Sequence, residues 1–117
     1  MYHSIYNEMV ADTTGTIRAN ERLALGKSID LLRLAQEQGR GSRESVEALL
    51  FTNRLWCLLL DDLADDGNGL PDSLKAGLIS IGIWVLRRTE DIRTGKTDDF
   101  LALIEVSESI RMGLETR

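Results

Sequence analysis

The longest apolar run in the chain, Ala76–Leu86, is broken only by Ser80. Its eleven residues would rise about 16 Å as a helix, roughly half the hydrocarbon core of a bilayer. The run is therefore too short to cross a membrane and has to be covered by other parts of the chain. Leu78, Ile79, Ile81, Ile83, Trp84, Val85 and Leu86 occupy nearly the whole circumference of such a helix. A helix apolar on all sides is expected at the centre of a bundle. Gly77, Ser80 and Gly82 thin part of that surface and permit a neighbour to approach closely, which offsets the low helix propensity of glycine, about 1 kcal/mol each relative to alanine.

Three further segments share the helical period, and glycine-containing breaks separate them. In the first, expected over 16–38, Ala24, Leu25, Ser28, Leu31, Leu32 and Ala35 recur on one face. Gly39-Arg40-Gly41 ends it, and Ser42 is placed to cap the next. That second helix, over 42–64, is expected to turn Val46, Leu49, Leu50, Trp56, Leu59, Leu60 and Leu63 inward. A loop, Asp65-Asp66-Gly67-Asn68-Gly69, leads to the apolar helix, over 71–94. Pro71 suits its first turn, and Asp72 complements the positive end of its dipole. Arg87, Arg88, Arg93 and Lys96 gather toward its other end, and Gly95 closes it. The last helix, over 98–114 with Thr97 or Asp98 as cap, buries Phe100, Leu103, Ile104, Ser107, Ile110 and Leu114. Residues 1–15 form an N-terminal arm in which Tyr2, Ile5, Tyr6, Met9 and Val10 lie at helical spacing before Thr13-Thr14-Gly15 breaks the pattern. It reads equally as a short docked helix or as a segment that orders on a partner. The expected fold is all-α: one domain, a small bundle of four main helices plus a short N-terminal segment.

Composition narrows the function. The 117 residues carry a net charge of −5. Nucleic-acid binding relies on clustered Lys and Arg neutralising phosphates, so nucleic acid is not expected as a direct partner. The single cysteine, Cys57, sits in an apolar stretch and reads as a small buried hydrophobe without a redox role. The opening residues lack the blocks of a signal peptide, and a cytoplasmic location is expected.

No constellation points to catalysis. His3 is the only histidine, stands near the terminus and has no base or nucleophile beside it. Metal ligation by His and Cys lacks ligands. The acidic group Asp61, Asp62, Asp65 and Asp66 is a poor calcium loop: with Gly67 at the sixth position, Ala64 falls at the third and Ser73 at the twelfth, where carboxylates are required. Four carboxylates at the end of a helix oppose its dipole, which leaves room for a basic partner there. No phosphate-binding glycine loop is present, and no cofactor is expected.

The stretch Leu70-Pro71-Asp72-Ser73-Leu74-Lys75-Ala76-Gly77-Leu78-Ile79-Ser80-Ile81-Gly82-Ile83-Trp84-Val85-Leu86-Arg87 resembles the core signature of the FlaF family of flagellar biosynthesis regulators. Trp56, Asp62-Leu63-Ala64, Ile92-Arg93-Thr94-Gly95, Leu103-Ile104-Glu105-Val106 and Gly113-Leu114 are similar to the family in order and spacing. So is the opening, Met1-Tyr2 with Tyr6 and Thr13-Thr14-Gly15. Arg88 stands where an acidic residue is common in the family, and Ser107 where asparagine is usual. Both are expected on helix surfaces or edges. The resemblance implies a non-enzymatic cytoplasmic protein that binds flagellin in the manner of a secretion chaperone, promotes its synthesis or export, and acts with a second regulator, FlbT. The alternative is a post-transcriptional regulator acting on flagellin mRNA, directly or through FlbT. Direct action would need Arg18, Arg22, Arg33, Arg40, Arg43, Arg87 and Arg88 gathered on one face. Because the apolar signature is expected inside, the partner-binding residues are sought elsewhere: Tyr2, Ile5, Tyr6 and Met9 in the arm, and Asp62, Asp65 and Asp66 at the acidic loop.

Overall fold

A computed structural model describes the backbone of residues 14–115 and the side chains of residues 20–113. Among the described residues there are four α-helices: α1 (Thr14–Gln38), α2 (Arg43–Ala64), α3 (Asp72–Arg93) and α4 (Phe100–Glu115). A single 3-10 turn, Asp66–Asn68, lies between α2 and α3. No strand occurs among the described residues. None of their helices is long and apolar enough to cross a membrane.

Local chemistry explains most boundaries. Gly39, Gly69 and Gly95 all have positive φ, 95°, 81° and 84°, a conformation that glycine reaches without strain. Gly39 and Gly95 thereby stop α1 and α3. The Ser42 hydroxyl accepts a hydrogen bond from the Ser45 amide at 3.1 Å and donates to the Gly39 carbonyl at 2.7 Å, so one side chain joins the end of α1 to the start of α2. Pro71 occupies the N-cap of α3, one residue earlier than its expected place in the first turn. The cap of α4 is Asp99, whose carboxylate accepts from the Ala102 amide at 3.1 Å. Thr97, expected in that role, instead accepts from the Asp99 amide. At the other end, α1 begins at Thr14. Thr14 and Gly15 are helical and do not break the chain there.

The helices run up and down, joined by short connections. α1 packs against α2 and α4, α2 against α1 and α3, while α3 and α4 share little surface. The expectation that α3 lies at the centre is therefore overturned. The fully covered positions are concentrated on α1 (Leu25, Ser28, Ile29, Leu32, Ala35), α2 (Ser45, Ala48, Thr52, Trp56) and α4 (Phe100, Leu103, Ser107). On α3 only Gly82, Val85, Thr89 and Ile92 are buried, at the alternating spacing of three and four that marks a packing seam. Ile81, Trp84 and Leu86 rest against the core while partly exposed, Leu78 is half buried, and Ile83 is 44% exposed. Among the described elements α3 has one extensive neighbour, and much of its apolar circumference is only partly covered.

Other inward expectations need the same correction. Val46 and Leu50 point to solvent, 64% and 49% exposed. Cys57 is exposed and shares that outer face. Ser107 is completely buried, as the spacing of the last helix expects and unlike a residue at a helix surface or edge, and its hydroxyl has no hydrogen-bond partner among the described residues. Close approach occurs at one of the three small residues of α3: a Cβ on Gly82 would lie 2.7 Å from Leu60 Cδ2 and 3.1 Å from Trp56 Cε3. Gly77 has no neighbour within 4 Å of such an atom, and Ser80 is exposed.

Candidate partner-binding surface

The residues proposed from sequence fall in two places. Tyr2, Ile5, Tyr6 and Met9 lie outside the described residues. Asp62, Asp65 and Asp66 lie together at the end of α2, where they build the turn. Asp62 accepts from the Asn68 side-chain amide at 3.0 Å. Asp65 caps the 3-10 turn by accepting from the Gly67 amide at 2.9 Å. The dipole cost of carboxylates at a helix end is thus offset by local hydrogen bonds to the descending chain. Among the described residues, no group of three or more His, Cys, Asp or Glu is arranged to hold a metal ion.

Two of the seven arginines that direct action on a message would need are paired with carboxylates, and the side chain of Arg18 lies outside the described ones. Arg33 pairs with Glu108 at 3.0 Å. Arg88 lies 3.6 Å from Asp99 and stacks over the Trp84 ring, 5.2 Å from its centroid. Arg93 is bound by Glu90, one turn away. That hydrogen bond, with the coulombic pull of Arg93 and Lys96 and against some desolvation, holds the Glu90 carboxyl below its ordinary value. Each of these cations has a carboxylate beside it.

A different surface stands out once the packing is known. On α2, Val46, Leu50 and Cys57 fall within about 40° of one another at 100° per residue, a stripe some 17 Å long. The register of α3 against this stripe follows from two contacts: the Asn53 side-chain amide donates to the Thr89 hydroxyl at 3.5 Å, and Gly82 sits beneath Leu60. With that register, the helical phase of α3 turns Ile79, Ile83 and Leu86 to the same outer side. The outer face of the α2–α3 hairpin is therefore apolar along its middle, with Arg54, Asp61, Glu90 and Arg87 around it. Sequence reasoning missed this surface because it assigned Val46, Leu50 and Ile83 to the interior. The detectable signal was an excess: α2 and α3 carry more apolar positions than two neighbours can cover.

Among known families, the model of the flagellar protein FlaF family matches residues 2–114. Neither the curated proteins nor the solved structures return a match. The match spans nearly the whole chain, takes in all four helices and includes the signature around Gly82 and Trp84. The chain belongs to the FlaF family of flagellar proteins.

Proposed function

We propose that this protein binds flagellin as a cytoplasmic secretion chaperone and regulator, promoting its synthesis and export during flagellum assembly without catalysing a reaction. The observation that carries the reading is the family membership, which assigns a role in flagellar biogenesis. The geometry is compatible with a holding function. The helical scaffold presents an apolar strip with a charged rim on the outer face of α2–α3, the arrangement that accepts the apolar side of an amphipathic helix. FlbT is a candidate second partner, either binding alongside flagellin or competing with it.

Titration of purified protein with monomeric flagellin tests the reading, with FlbT and flagellin mRNA in parallel. Micromolar or tighter binding of flagellin supports it. Leu50→Ser combined with Ile83→Ser is expected to weaken that binding about tenfold or more, equivalent to roughly 1.4 kcal/mol. Binding of mRNA alone, with a steep salt dependence, would replace this reading with direct action on the message. No flagellin binding at micromolar concentration would end it.

A further inference from the structure

Asn68-Gly69 is the one Asn-Gly pair in the chain, and it stands in the turn between α2 and α3. Such a pair is self-reactive. The backbone nitrogen that follows an asparagine can attack the side-chain carbonyl carbon, and a glycine, lacking a side chain, leaves that nitrogen unshielded. Asn68 is half buried and Gly69 exposed, so solvent water reaches the pair.

The fold holds the reacting atoms apart. Asn68 ends the 3-10 turn Asp66–Asn68, and its amide donates to the Asp65 carbonyl at 3.0 Å. A residue in such a turn has ψ of about −20 to −30°, and ring closure requires the following peptide plane to rotate well away from that value. The side chain is also fixed at both of its polar atoms. Its Oδ1 accepts from the Leu70 amide at 3.2 Å, and its Nδ2 donates to Asp62 Oδ2 at 3.0 Å. Turning the carboxamide toward the Gly69 nitrogen breaks both bonds. Asp62 therefore does more than satisfy the end of α2: it grips the amide nitrogen that would have to leave.

We propose that Asn68 is a deamidation site gated by this turn, closed while Asp62 and Leu70 hold the side chain and open when the α2–α3 connection loosens. In the step the Gly69 nitrogen forms a bond to Asn68 Cγ and gives up its proton. The Cγ–Nδ2 bond breaks and the side-chain nitrogen departs as ammonia. Solvent water then opens the cyclic imide to aspartate or isoaspartate, with nothing oxidised or reduced. The product replaces the donor that faces Asp62 with a carboxylate, beside Asp62, Asp65 and Asp66, and like charges at that spacing repel. Isoaspartate also lengthens the backbone inside the 3-10 turn. Conversion thus loosens the α2–α3 hairpin irreversibly, whichever partner its outer face binds.

Peptide mass spectrometry of the full chain, incubated at mildly alkaline pH, tests the proposal. The readout is the mass gain of one deamidation at Asn68; Asp66-Gly67, which can form the same imide, isomerises without changing mass. Conversion in the folded chain is expected to be about tenfold slower than in a free peptide of residues 66–71, because it waits on local opening of the turn. Asp62→Ala is expected to accelerate it about fivefold by removing the Nδ2 partner. Asp62→Asn keeps an acceptor oxygen and returns the parent rate, which separates the lost bond from any general weakening of the helix end. Converted protein, isolated by ion exchange on its added negative charge, is expected to unfold at a lower urea concentration. Conversion as fast in the folded chain as in the peptide overturns the gate. So does an Asp62→Ala rate equal to that of the parent, or an acceleration that Asp62→Asn fails to reverse. Absence of the mass gain at Asn68 in both the parent and Asp62→Ala overturns the site itself, and an unchanged urea midpoint overturns the loosening.

Discussion

At Gly82 a missing methyl group sets how closely two helices approach. The absent Cβ would lie 2.7 Å from Leu60 Cδ2 and 3.0 Å from its Cγ. The Leu60 tip can swing aside, but the Trp56 ring, 3.1 Å away, is buried and fixed. Gly82→Ala gains about 1 kcal/mol of helix propensity and loses more through overpacking, which costs about 1–3 kcal/mol. Net destabilisation is expected in urea unfolding, with the slope unchanged; a stabilised variant would show that α2 and α3 can separate freely. Cys57 makes the opposite point. Its apolar sequence neighbours suggest burial, yet it faces out, with its Sγ 3.7 Å from Asn53 Oδ1. The folded protein is therefore expected to react with a thiol reagent such as DTNB at about the rate of an open thiol. Reaction that requires denaturant would contradict its placement.

Between elements, the bundle relies on small side chains at its seams. Ser28 of α1 and Thr52 of α2 are both completely buried and bonded to each other at 2.6 Å. Ser28→Ala leaves the Thr52 hydroxyl unpaired inside, at a cost of about 1–3 kcal/mol, whereas Ser28→Ala with Thr52→Val removes both polar groups and should recover most of the loss. A double-mutant cycle by thermal or urea unfolding measures this coupling. Strict additivity would mean that the pair contributes nothing to the α1–α2 contact. Helix existence and approximate extent were legible here because periodicity, glycine and cap residues are local signals. The alignment of α1 with α2 was not, because it depends on which small residues meet across the seam. Legibility also failed at α4, where Asp99 takes the capping role: three successive candidates, Thr97, Asp98 and Asp99, differ only in backbone conformation.

For the whole molecule, the consequence of packing order is an outer face on which Val46, Leu50 and Ile83 are exposed. Leu50→Ser together with Val46→Ser should leave stability within about 0.5 kcal/mol of the parent, since both side chains are already in water. The same pair should reduce flagellin binding, read by titration; a large loss of stability would show that this face is covered. Sequence by itself determined the four helices, the glycine-governed breaks between them, the capping role of Ser42 and the family. Each rests on residues near one another in the chain, or on a pattern carried along it. Only the tertiary structure decided which apolar residues are inside. That depends on how many neighbours each helix has and on which side they lie. The signature helix, apolar almost all round, was read as the centre of the bundle, yet it packs at the edge: α2 covers one side of it and α4 reaches little of the rest. Val46, Leu50 and Ile83 are exposed for the same reason.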